Sequence, residues 1–339
     1  MTAAGRLSAP AAAAGWVALT VTVVAVLLAP SVPPLWGYVP LLVGIVLIGL
    51  PHGALDHLVP ARVGFRWGRT PAGVTVYLLA YAAVAVAYLA LWTVAPVAAF
   101  VGFLLATVWH WGQGDMRFLE IFFGRTRSSA ASYTGALLLR GLLPIAVPVL
   151  AHPGDVEHLL QHSAGAFGLD VAGVSVASPA WQAPAALALL VTFSLMLGGL
   201  RCSWTRARGA WLDAGEIALL TAFFVLVPAY PAIGIYFIAW HSLRHLARLI
   251  PLKPADRDAL AKGRWRRPVG RLTRDLTPIT LAAIVLLFGL YAVTRGNVTT
   301  TEGFVALYLV WISALTMPHL VVVALMDRAP QAPKPPSAA

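Results

Sequence analysis

The chain has 339 residues, 59% of them hydrophobic and only 11% charged, with a mean hydropathy of +0.79. Soluble domains carry about 25% charged residues, so this balance excludes a soluble globular protein and marks an integral membrane protein. A net charge of +11 would point to nucleic acid in a soluble protein, but in a membrane protein it reflects lysines and arginines gathered in cytoplasmic loops.

Residues 1–13 form an N-terminal segment whose one charge is Arg6. The apolar run behind it reads as a retained first span, because no strong Ala-x-Ala cleavage site follows. Segments long enough to cross a bilayer recur near residues 14–30, 36–60, 72–94, 97–117, 131–150, 180–200, 211–228, 231–250, 276–294 and 303–326. Proline-bearing breaks such as Ala95-Pro96 and Pro228-Ala229-Tyr230-Pro231 mark turns between them. The expected fold is all-α and polytopic, with about ten transmembrane helices. They form a single domain over residues 14–328, followed by a disordered Pro/Ala-rich tail at residues 329–339.

Charge supports this partition independently of hydropathy. Arg62, Arg66 and Arg69 follow span two; Arg117, Arg125 and Arg127 follow span four; Arg201, Arg206 and Arg208 follow span six; a dense basic loop at residues 253–274 follows span eight. The intervening loops are nearly free of basic residues, with Arg295 the exception, and residues 152–179 carry Asp155, Glu157 and Asp170. The alternation places both termini in the cytoplasm and the protein in the cell (inner) membrane. The basic loop, with Trp265 among Arg264, Arg266 and Arg267, is expected to rest on anionic lipid headgroups. Nucleic-acid binding is not expected.

Chemistry concentrates in five intramembrane histidines: His52 on span two, His110 on span four, His241 and His245 on span eight, and His319 on span ten. All lie on spans of one direction, about 8 to 14 Å from the cytoplasmic end by the helical rise. His241 and His245 are four residues apart, so they project from one helical face. One intramembrane histidine is as readily a hydrogen-bonded core residue as a functional one, but five in a layer favour a shared site. Neutral imidazole is the commonest biological metal ligand and suits iron, zinc or copper. The single cysteine, Cys202, excludes an internal disulfide and a Cys-rich site. Pro51 and Pro318 remove backbone donors beside two of the histidines, so both spans are expected to bend there.

His152, His158 and His162 fall in the acidic external loop, and His57 points about 140° away from His52 on a helix, which makes it interfacial or an outer contact. Asp56 and Asp115 each follow a candidate ligand by about one turn. Each either orients a ligand histidine or pairs with an arginine such as Arg244 or Arg117. Arg140, in mid-span five, requires a partner that spacing does not name. Trp109, Trp111, Tyr236, Trp240 and Trp311 surround the histidines and are the candidate lining of a pocket for a long apolar substrate. A transporter or proton-conducting protein with a His/Asp relay is the alternative from another class.

At these residues the chain resembles the Brp/Blh family of membrane β-carotene cleavage dioxygenases. The resemblance rests on Gly49-Leu50-Pro51-His52-Gly53-Ala54-Leu55-Asp56, on His110-Trp111-Gly112-Gln113-Gly114-Asp115, on His241-Ser242-Leu243-Arg244-His245 and on Pro318-His319-Leu320. It implies that His52, His110, His241 and His245 hold a catalytic Fe(II), with His319 an extra ligand or a neighbouring polar contact. It further implies dioxygen as co-substrate, a carotenoid drawn from the bilayer, cleavage of β-carotene to two retinal molecules, and a retinal-binding protein as partner.

Overall fold

The computed structural model describes residues 3–29, 34–44, 50–126, 129–199 and 207–328; the side chain of His52 and the tail 329–339 lie outside the described residues. The elements are helical throughout. Among the described residues, seven helices are long and apolar enough to cross a membrane: α1 (Ala3–Leu28), α5 (Pro71–Val94), α7 (Ala130–Ala151), α9 (Pro179–Gly199), α10 (Ala207–Leu226), α14 (Arg266–Thr294) and α15 (Thr301–Arg328). Helices α5, α9 and α14 turn most of their surface outward, with Val76, Leu190 and Val285 more than half exposed, as apolar side chains facing lipid would be.

Three other expected spans look different. Helix α6 (Pro96–Phe123) is one continuous 28-residue helix whose later turns carry His110, Asp115 and Glu120, which dilute its apolar character. Residues expected at 231–250 form α11 (Ala229–Tyr236), a π-helical segment (Phe237–Ser242) and α12 (Leu243–Leu249) in unbroken succession. The expectation of a single helix over residues 36–60 is corrected among the described residues. Helix α2 (Pro34–Gly44) is followed, beyond residues 45–49, by a four-residue α3 (Leu50–Gly53), a 3-10 turn (Asp56–Leu58) and a short α4 (Val59–Arg62). Pro51 and Pro60 cannot donate to preceding carbonyls and Gly53 adds backbone freedom, so the chain turns here. Pro318 lies within α15 without ending it.

Two expected loops are also helical. The acidic segment contains α8 (Pro153–Gly165), which buries Val156 and Leu160. The basic segment contains α13 (Pro254–Ala261), and α14 begins inside it, at Arg266. Arg271 pairs with Asp256 and Arg62 with Asp275, while Trp265 remains 59% exposed.

Glycines set the spacing around α6. A Cβ on Gly112 would fall 2.0 Å from the carbonyl oxygen of Leu137, and one on Gly141 would fall 1.8 Å from that of Val108. Helices α6 and α7 therefore touch backbone to backbone, the close approach that small residues permit between membrane helices. The largest apolar core, with Leu139, Phe223, Phe224, Tyr236 and Trp240, joins α7 and α10 to the α11–π segment beside this contact.

Candidate metal centre

Four imidazoles converge from separate parts of the chain. His110 comes from α6, His241 from the π segment, His245 from α12 and His319 from α15; each is at most 4% exposed. Ring centres lie 4.9 Å apart for His110 and His241, 4.8 Å for His110 and His319, and 5.4 Å for His245 and His319. The pairs His110–His245 and His241–His245 are wider, at 6.4 and 6.3 Å. A ring nitrogen binds an ion at about 2.1 Å, which puts the ring centre about 3 Å from it and two ligand rings about 4.5 to 6.5 Å apart. These five separations fall within that interval. Among the described residues, no three His, Cys, Asp or Glu side chains already stand in a formed metal-binding arrangement, so the fit is one of donor type, burial and ring spacing. His52 lies in α3, with its side chain outside the described residues.

The π segment gives no sign in the sequence. One wide turn re-phases the helix between Phe237 and Ser242, a device that recurs at functional sites. The rings of Phe237 and His241 stack at 5.8 Å, 8° from parallel.

The carboxylates divide. Asp56 takes Nδ1 of His319 at 2.7 Å. A carboxylate can only accept, so the proton sits on Nδ1 and Nε2 carries the lone pair that a metal would use. Of the two roles weighed for Asp56, it takes that of orienting a candidate ligand histidine, and it lies in a 3-10 turn beyond the end of α3 at Gly53. Tyr81 steadies the same carboxylate, its hydroxyl 3.2 Å from Oδ2 and 3.0 Å from the carbonyl of Leu315. His57 binds the carbonyl of Ala54 through Nδ1 at 2.9 Å and lines the cavity described below.

Asp115 takes the other role weighed for it. It pairs with Arg140 and Arg244 and accepts from Nε1 of Trp240 at 3.1 Å. Arg140 also pairs with Asp213 and, at 2.8 Å, with Glu216; Arg244 pairs with Glu216 and Arg125 with Asp213. Three guanidiniums and three carboxylates, all at most 4% exposed, thus close on one another, drawn from α6 and the second residue beyond its end, α7, α10 and α12. Burial of such charges is tolerable when they are paired and hydrogen-bonded, and among the described residues these six balance in sign. Asp213 and Glu216, inside an expected span, were legible as the missing partners of Arg140, since an intramembrane cation demands a nearby anion.

Beside the imidazoles lies a cavity of about 130 Å³, lined by His110 and His319 with mostly apolar neighbours such as Phe103, Phe237, Ile312 and Leu315. Of the five aromatic residues expected to line a pocket, Trp111 does so. Trp109 is 51% exposed on the outside of α6, because adjacent helical residues point about 100° apart. Tyr236 and Trp240 are committed to the apolar core and, for Trp240, to Asp115 and to Arg244, whose guanidinium lies 3.8 Å from its ring centre. Trp311 packs with Leu41, Leu50 and Tyr308 in another cluster. The wall includes residues that the sequence did not single out, Tyr77 and Leu78 of α5 and Ile279 and Ala283 of α14.

The profile of the family described as Beta-carotene 15,15'-dioxygenase matches residues 43–327. The protein named Probable beta-carotene 15,15'-dioxygenase Blh, from Halobacterium salinarum, is 36% identical over 95% of this chain and 93% of its own. Probable beta-carotene 15,15'-dioxygenase Brp, from the same organism, is 29% identical over 85% of this chain and 82% of its own. No solved structure matches. The matched span holds α6, the π segment, α12 and α15, and with them all four converging imidazoles; this chain belongs to the beta-carotene 15,15'-dioxygenase family.

Proposed function

We propose that this protein is an Fe(II)-dependent β-carotene 15,15'-dioxygenase of the cell membrane. It splits the central double bond of its substrate, and each half receives one atom of dioxygen as the carbonyl of a retinal molecule. The observation that carries the reading is the convergence of His110, His241, His245 and His319 beside an apolar cavity, in a chain of this family. These residues, with His52 as the family resemblance implies, would hold the iron, and Asp56 would orient His319. When bound, an iron held by neutral imidazoles supplies a redox-active centre with room for dioxygen.

The rest falls to the protein. A cavity of about 150 Å³ holds one benzene, so the space of about 130 Å³ takes only a short stretch of polyene. The rest of the carotenoid would extend outward past Leu78 and Ala283, between helices whose other faces are apolar and exposed. The apolar walls exclude water and limit side reactions. The charge pattern supports ten crossings with cytoplasmic termini, and the helices now seen over residues 253–274 keep Trp265 exposed for an anionic lipid surface. A retinal-binding protein is the partner implied by the product. The transporter alternative is less favoured, because the buried charges around Arg140 pair with one another in one cluster among the described residues rather than forming a line across the membrane.

The test uses purified protein with iron, oxygen and β-carotene in detergent. Retinal should form with the intact chain, and His241→Ala should abolish it together with the bound iron. Equal retinal formation by the variant refutes the metal assignment.

A further inference from the structure

Threonine hydroxyls at buried or half-buried positions inside these helices follow one habit. Those of Thr22, Thr192, Thr221, Thr280, Thr294 and Thr316 each donate to the carbonyl four residues back. Thr107 departs from it: the residue is 2% exposed, and its Oγ1 is buried with no hydrogen-bond partner among the described residues. Thr107 lies on α6 one turn before His110, and the two line the same cavity with Phe103 and Trp111. Positions 103, 107, 110 and 111 form one helical stripe.

A buried hydroxyl without a partner is costly, so its retention beside the imidazoles calls for an acceptor that arrives with the chemistry. β-Carotene is a hydrocarbon and brings none. The aldehyde product does, and its oxygen is created at the cleaved bond. Of the other hydroxyls on the cavity wall, that of Thr316 is bonded to Ile312 and that of Tyr81 to Asp56 and Leu315. Tyr77 also has an unpartnered hydroxyl, but it belongs to α5 and its ring stacks on Trp67. Thr107 is the unpartnered one that shares a helix face with a candidate ligand.

We propose that Thr107 Oγ1 donates a hydrogen bond to the carbonyl oxygen of the retinal product as it forms, making Thr107 a binding residue that distinguishes product from substrate. This rests on the β-carotene cleavage proposed above. The contact is absent in the substrate complex, so it acts after the carbon–carbon bond opens, on the product end of the reaction.

The test is the variant Thr107→Val, which keeps the branched shape and removes the hydroxyl, with Thr107→Ser as the rescue. Binding of all-trans-retinal and of β-carotene to the purified, oxygen-free protein is followed by quenching of tryptophan fluorescence. Thr107→Val should lose affinity for retinal by about fivefold, the effect of one neutral hydrogen bond, with affinity for β-carotene unchanged. Thr107→Ser should recover most of the loss. Unchanged retinal affinity in Thr107→Val, or an equal loss for both ligands, overturns the assignment. Because binding is read without turnover, that result leaves the cleavage activity untouched; failure of the intact chain to produce retinal from β-carotene would instead overturn the proposed function.

Discussion

Replacing Arg140 by methionine should test how this bundle tolerates so many buried charges. Arg140 is fully buried and bonded to Asp115, Asp213 and Glu216. Among the described residues, its removal leaves three carboxylates against the two guanidiniums of Arg125 and Arg244, all of them buried. Breaking a buried ion pair by deleting one partner costs about 3–5 kcal/mol, because the other charge is left uncompensated. At about 2 °C per kcal/mol for a chain of this size, the thermal midpoint in detergent should fall by about 6–10 °C. The double variant Arg140→Met with Asp213→Asn restores two charges of each sign among the described residues, and the amide oxygen introduced by the second change can still accept from Arg125. It should therefore recover at least half of the loss, giving a coupling energy of the kind double-mutant cycles detect. Thermal unfolding followed by tryptophan fluorescence reads both. A midpoint for Arg140→Met within about 2 °C of the parent, or a double variant no more stable than the single one, refutes the charge accounting.

Two more predictions address the site. Asp56→Ala removes the acceptor from Nδ1 of His319 and from Tyr81; iron affinity, measured by titration of the metal-free protein, should fall about 10–100-fold, and an unchanged affinity would remove Asp56 from the support of the metal. Ala283→Trp fills the α14 side of the cavity. It should raise KM for β-carotene about tenfold or more, a loss of about 1.4 kcal/mol, without lowering iron content; a KM equal to the parent's would argue that the substrate does not pass this wall.

Part of this protein was legible residue by residue. The apolar runs, each long enough to cross a bilayer as a helix, make an all-helical membrane protein, since a helix satisfies its own backbone groups in lipid. His110, His241, His245 and His319 stand out because an imidazole in an apolar span needs a reason, and the fold gathers all four. Arg140 announced a partner for the same cause, and Asp213 and Glu216 were there to be read.

What the tertiary structure alone decided was which side chains meet. Nearness in sequence placed Trp109 at the pocket, whereas it turns outward, and could not say that the histidine Asp56 binds is His319, 263 residues away. The π turn at His241 and the backbone contact through Gly112 and Gly141 set how far each helix is rotated and how closely it approaches its neighbours. Those quantities depend on packing between helices distant in the chain, and a local pattern of hydrophobicity does not encode them. For the same reason the sequence by itself marked the intramembrane histidines as candidates for one site, while only packing decided that Thr107 and Ala283, rather than Tyr236, Trp240 or Trp311, would wall the cavity beside them.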